Sequence, residues 1–161
     1  MGFFKSAKGS IISDNFMLLH DVGQFKEGTA IEVALFDDHL TLSAPFMKQT
    51  PVSLKYAQVT DVFYGAETEI VQKGKSPIGR AVAGGLLFGG AGAIVGAISG
   101  TGTKEKKVKK LLFVISYTSS DGQDKFLQFE DTRLYKGVKL SQKLKELCNI
   151  HPAASEDITE L

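Results

Sequence analysis

The chain has 161 residues, a formal net charge of +1 and one cysteine, Cys148. That length suits one domain with a sizeable core. The single cysteine excludes an internal disulfide and fits a reducing compartment, while the near-neutral charge argues neither for nor against nucleic acid.

The N-terminus, MGFFKSAKGS, is too short in its apolar part for a signal peptide and has no cleavage-site pattern. Met1-Gly2 with Ser6 matches the myristoylation pattern, a short motif common by chance. Residues 1–28 are expected to pack as a segment on the domain that follows.

A first block of β-like sequence runs from about residue 29 to residue 72. TAIEVALF puts Ile31, Val33 and Leu35 on one face, the pattern of a half-buried strand. Asp37, Asp38 and His39 read as a turn, and Leu40 and Leu42 as the return strand. Val52 and Leu54 predict a short strand. Val59, Val62 and Phe63 lead into another, expected to end near Val71.

Residues 76–102, SPIGRAVAGGLLFGGAGAIVGAISGTG, are apolar and dense in Gly and Ala. Ala81, Gly85, Gly89, Ala93 and Ala97 recur every fourth position, and Gly92, Gly96 and Gly100 do so in a second register. On a helix this spacing lines up one face. A face of small residues lets another helix approach closely, so Ala81, Gly85, Gly89, Gly92, Ala93, Gly96 and Gly100 are the expected helix-packing positions. As one helix, residues 78–99 would extend ~33 Å, long enough for a bilayer core. Yet both flanks are basic: Lys73, Lys75 and Arg80 before, Lys104, Lys106, Lys107, Lys109 and Lys110 after. Basic flanks favour the cytoplasmic side. If the flanking blocks share one sheet, the chain must also leave and return on the same side. A hairpin turning at Gly89-Gly90 meets both conditions.

The second block holds the clearest hairpin. Residues 111–117 are rich in β-formers, Asp121-Gly122 makes the turn, and residues 126–129 return. Then the period changes. Leu134, Val138, Leu140, Leu144 and Leu147 fall at helical spacings, with Asp131 or Thr132 available as a cap. Gly137 weakens the first turn, which is expected to be separate. Cys148 falls on the buried side of this helix. Residues 151–161 are polar and acidic, a flexible tail.

About seven antiparallel strands and a C-terminal helix form an α+β or small-barrel pattern. FDDHLTLSAP, VSLKYAQVTDV and the late hairpin followed by EDTRLYKGVKLSQKLKELC resemble a bacterial pleckstrin-homology-like (PH/GRAM-type) domain. The Gly-rich insert followed by Lys-rich sequence resembles proteins of Gram-positive bacteria and their phages. The resemblance covers roughly residues 29–148. It implies a PH-like small barrel or sandwich over residues 29–150, with a C-terminal capping helix and residues 76–102 as an inserted glycine-zipper hairpin. Lipid-binding members carry Lys or Arg around the first hairpin. Here that turn is acidic, so headgroup recognition is not carried over.

Enzymatic motifs are missing. KGKS at residues 73–76 lacks the upstream Gly of a phosphate loop, because Glu69 stands there. The G-x-G triplets follow no strand in a βαβ unit. His20, His39 and His151 have no metal-ligand spacing, and Glu67 and Glu69 read as an exposed strand face. No cofactor and no metal is expected. No nucleic-acid partner is expected either, since no aromatic pattern is interleaved with the lysines.

The expected function is a non-enzymatic PH-like module, cytoplasmic or peripheral at the inner face of the membrane. It self-associates through the glycine zipper, and its basic flanks contact anionic lipid. Two rivals are a phage or mobile-element oligomer that captures a small ligand or host protein, and a membrane-disrupting pore former.

Overall fold

The computed structural model describes residues 8–70, 76–83, 110–133 and 135–150. Seven strands form one sheet: β1 (Ile12–Leu18), β2 (Ala30–Leu35), β3 (His39–Ser43), β4 (Val52–Lys55), β5 (Val59–Ala66), β6 (Leu111–Thr118) and β7 (Asp124–Glu130). Two helices accompany them, α1 (Pro77–Ala83) and α2 (Val138–Leu147). A 3-10 turn, Tyr56–Gln58, carries the chain from β4 to β5. The strand order is β4-β3-β2-β1-β7-β6-β5, and the paired strands are antiparallel throughout. The end strands β4 and β5 are not paired with each other.

The sheet folds over one main core. Apolar residues on alternate positions of β2 (Ile31, Val33, Leu35), β3 (Leu40, Leu42), β6 (Phe113, Ile115) and β7 (Leu127, Phe129) meet there. Phe113 lies at its centre, with ring centroids 4.9 Å from Phe16, 5.8 Å from Phe129 and 6.3 Å from Tyr64. The two sequence blocks therefore share one sheet, with β5 and β6 paired across the insert from Asp61↔Ser116 to Ala66↔Leu111.

The first strand corrects the reading of residues 1–28 as a segment packed on the domain. Ile12–Leu18 is a central strand, paired with β2 from Ile12↔Leu35 to Met17↔Ala30 and with β7 through Met17↔Glu130 and Leu18↔Phe129. Its inward alternation is broken by Asp14, whose carboxylate pairs with Arg133. A second correction concerns β5. It ends at Ala66 rather than near Val71: the Glu67 N–H adds one more bond toward β6, to the Lys110 carbonyl (3.0 Å), and the Glu69 N–H then turns back to the Ala66 carbonyl (2.9 Å). Glu67 and Glu69 lie in this turn, and Ile70 is fully buried beyond it.

Helix α2 begins at Val138, with Gly137 in the capping position. Asp131 fixes the approach: its carboxylate accepts from the Arg133 N–H (3.0 Å), the Gly137 N–H (2.8 Å) and the Tyr64 hydroxyl (2.5 Å). Gly137 has no room for a side chain, since a Cβ there would lie 2.5 Å from the Phe16 ring. Leu140 and Leu144 are fully buried in the main core, with Leu147 and Cys148 packed against it; Leu134 lies outside the described residues. Burial pushes the Cys148 thiol up to about 12. Leu144→Ala is expected to cost about 2–5 kcal/mol in a denaturant melt. A loss under about 1 kcal/mol would show that the helix face is not held by this core.

Candidate functional site

Strand β6 is buried along Leu111–Ser116 on both faces. Phe113 and Ile115 face the main core, while Leu112 and Val114 face outward into a second cluster with Phe63, Ile70, Ile78 and Ala81. Helix α1, the first part of the glycine-rich insert, thus covers the outer face of β5 and β6.

Local chemistry fixes α1 there. The Ser76 hydroxyl accepts the Gly79 N–H (3.1 Å) and the Ser76 carbonyl accepts the Arg80 N–H (2.9 Å). Pro77 follows, with a φ already suited to the first helical position. The second anchor comes from the sheet. A register shift between Val59 and Asp61 interrupts the β5–β6 ladder. The buried Asp61 carboxylate accepts the Val62 N–H (2.9 Å) and reaches the Ile78 N–H of α1 (3.3 Å). Ile78 is fully buried beneath the helix. One carboxylate on β5 and one isoleucine on α1 therefore join the insert to the domain.

This arrangement corrects one expectation. Ala81 was expected to present a small face to another helix, but it is 3 % exposed and packs on its own sheet. The first turns of the insert complete the outer cluster. The cause is the outer apolar face of β6, which needs a cover. Arg80 is exposed and borders a hollow of about 170 Å³ with Pro77, Ala81, Asp124 and Phe126. Lys110 is exposed at the foot of β6. The remaining predicted positions, Gly85, Gly89, Gly92, Ala93, Gly96, Gly100, Lys73, Lys75, Lys104, Lys106, Lys107 and Lys109, lie outside the described residues.

Elsewhere, His39 Nδ1 lies 2.5 Å from Asp38, and its ring stacks on Phe36 at 4.9 Å. That hydrogen bond leads the causes holding Asp38 below the usual carboxylate range. Among the described residues, no group of three or more His, Cys, Asp or Glu side chains could hold a metal ion. None of the described helices is long and apolar enough to cross a membrane.

Sequence reasoning missed a larger cleft of about 370 Å³, where the β1–β2 loop meets β6 and β7. His20, Asp21, Val22, Gly23, Tyr117, Lys125, Phe126 and Gln128 line it. Its only sequence signal was an isolated histidine at the end of β1.

A comparison with curated proteins returned no significant match. The family described as glycine zipper containing PH domain matches residues 22–131. The matched span starts within the β1–β2 loop and ends just after β7, so it takes in the whole insert and six of the seven strands. On that match, and with a seven-stranded antiparallel sheet carrying the insert between β5 and β6, the chain belongs to the family of glycine zipper-containing PH domains.

Proposed function

We propose that this protein is a non-enzymatic binding module that assembles with copies of itself through its glycine-rich segment. In this reading the domain works at the cytoplasmic face of a membrane, with the basic flanks on anionic headgroups. The observation that carries it is the double anchoring of α1 by Asp61 and Ile78. A free linker needs no such attachment, whereas a segment that transmits assembly to its domain does. Gly85, Gly89, Gly92, Gly96 and Gly100 supply the close helix approach. Each Lys held near an anionic surface adds about 1 kcal/mol.

Light scattering after size exclusion, with and without detergent, tests the assembly. The wild type is expected to run as a multimer. Gly89→Leu and Gly96→Ile are expected to run as folded monomers, because a branched side chain blocks backbone approach. A wild-type monomer in both conditions overturns self-association. Sedimentation with anionic vesicles tests the surface. Changing Lys106, Lys107, Lys109 and Lys110 together to Gln should release the protein, as should added salt. A multimer that ignores vesicles points instead to capture of a soluble ligand, and dye leakage from the vesicles points to pore formation.

A further inference from the structure

The two halves of the sheet, β4-β3-β2-β1 and β7-β6-β5, meet along one short seam. Strand β1 pairs with β7 only through Met17↔Glu130 and Leu18↔Phe129, whereas β6 and β7 pair continuously from Leu112↔Glu130 to Thr118↔Asp124. The seam is extended by the Leu19 N–H, which donates to the Gln128 carbonyl at 2.9 Å. The next bond should come from a main-chain carbonyl. Instead the Gln128 N–H donates to the His20 ring at Nε2, 3.2 Å away. An accepting Nε2 carries no proton, so the imidazole here is neutral, with its hydrogen on Nδ1.

We propose that His20 is an acid-sensitive latch on this seam: protonation at Nε2 turns the acceptor into a donor, breaks the bond to Gln128 and opens the end of the β1–β7 ladder into the adjoining cleft.

The surroundings supply both states. On the loop that follows β1, Asp21 and Glu27 favour the imidazolium. The Asp21 carboxylate is held ionised by the Glu27 N–H (2.9 Å) and by Lys26 (3.2 Å), so it remains a counter-charge for a released, protonated ring. From β6 and β7, Tyr117 and Lys125 line the same cleft. Burial is the largest influence and pulls the His20 pKa below its usual 6.5. The sign follows. A histidine lowered in the closed form binds its proton more readily once open, so closure is full above 6.5. It weakens as pH falls from there to the lowered value.

Amide exchange of the whole chain followed by NMR between about pH 7.5 and pH 4.5 tests the latch, after correction for intrinsic exchange. Gln128 protection should fall by about tenfold per pH unit as the pH drops from 6.5 to the midpoint of the His20 ring titration, the slope of a single linked proton, and level off below it. The Phe113 amide, in the centre of β6, should not follow it. His20→Gln keeps an acceptor and cannot titrate, so its Gln128 protection should stay level. His20→Leu removes the acceptor and should lower that protection at every pH. A wild-type profile without the step overturns the proposal, as does the same step in His20→Gln. If His20→Gln does not fold, the wild-type profile still decides: a fall in Gln128 protection that does not level off within about one pH unit of the His20 ring midpoint overturns the latch.

Discussion

Phe113→Ala is expected to destabilise the protein by about 3–5 kcal/mol, the largest loss from any single truncation in the main core. Phe113 is 0 % exposed. It touches an aromatic ring from each of three other strands: Phe16 of β1, Tyr64 of β5 and Phe129 of β7. These neighbours cannot all close over the space, because Phe16 also abuts Gly137 and Tyr64 is tied through its hydroxyl to Asp131. The cavity therefore persists, and its cost adds to the lost transfer energy. Against a typical total of about 5–15 kcal/mol, the variant should be partly unfolded at moderate temperature. The check is a urea melt, with the midpoint lowered and the slope retained. A loss below about 1.5 kcal/mol would mean that the two half-sheets close independently, and that the shared core between them contributes little.

The strands legible in the sequence were those whose partners lie nearby. Ile31, Val33 and Leu35 alternate cleanly, and the β6–β7 hairpin carries its own turn at Asp121-Gly122, where Gly122 has a φ of +83°. Strand β1 was not legible. Asp14 breaks its inward alternation, and the residue that neutralises it, Arg133, lies at the far end of the chain. The end of β5 was misplaced for a different reason: Glu67 and Glu69 stand at strand spacing, while the bond that turns the chain runs between main-chain groups, from the Glu69 N–H to the Ala66 carbonyl, and leaves no mark on the side-chain pattern. At the candidate site the four-residue spacing of small residues was plain, while the role of Ala81 was not. One signal was available. The unbroken apolar run Leu111-Leu112-Phe113-Val114-Ile115 marks a strand covered on both faces, and a cover for its outer face had to come from somewhere in the chain. The positions of Asp61 and His20 could not be read in the same way. Each acts on a main-chain N–H from a distant segment, Ile78 and Gln128, and such pairings leave no periodic trace.

Where the insert is cut should decide whether the domain survives. Deleting residues 84–102 is expected to leave stability within about 1 kcal/mol of the full chain, because every described contact of α1 is kept. Deleting residues 77–102 is expected to cost at least about 2–5 kcal/mol, the range for truncating one buried isoleucine. The longer cut removes Ile78, which is 0 % exposed, and Ala81, and it strips the cover from Phe63, Ile70, Leu112 and Val114. It also removes the Ile78 N–H that the buried Asp61 carboxylate reaches. The bared face of β5 and β6 would be a contiguous apolar patch on a folded sheet, and such patches promote association. Urea melts of the two deletions, with light scattering at rising concentration, test this. The shorter deletion should scatter as a monomer, since the zipper is gone and the outer face stays covered. The longer one should be less stable and should self-associate in a concentration-dependent, non-stoichiometric way. Equal midpoints for the two would show that α1 only rests on the sheet. A stable multimer from the shorter deletion would instead leave the cover intact and place the assembly surface outside the glycine-rich segment. The two deletions thus separate the part of the insert that completes the domain from the part proposed to join one copy to the next.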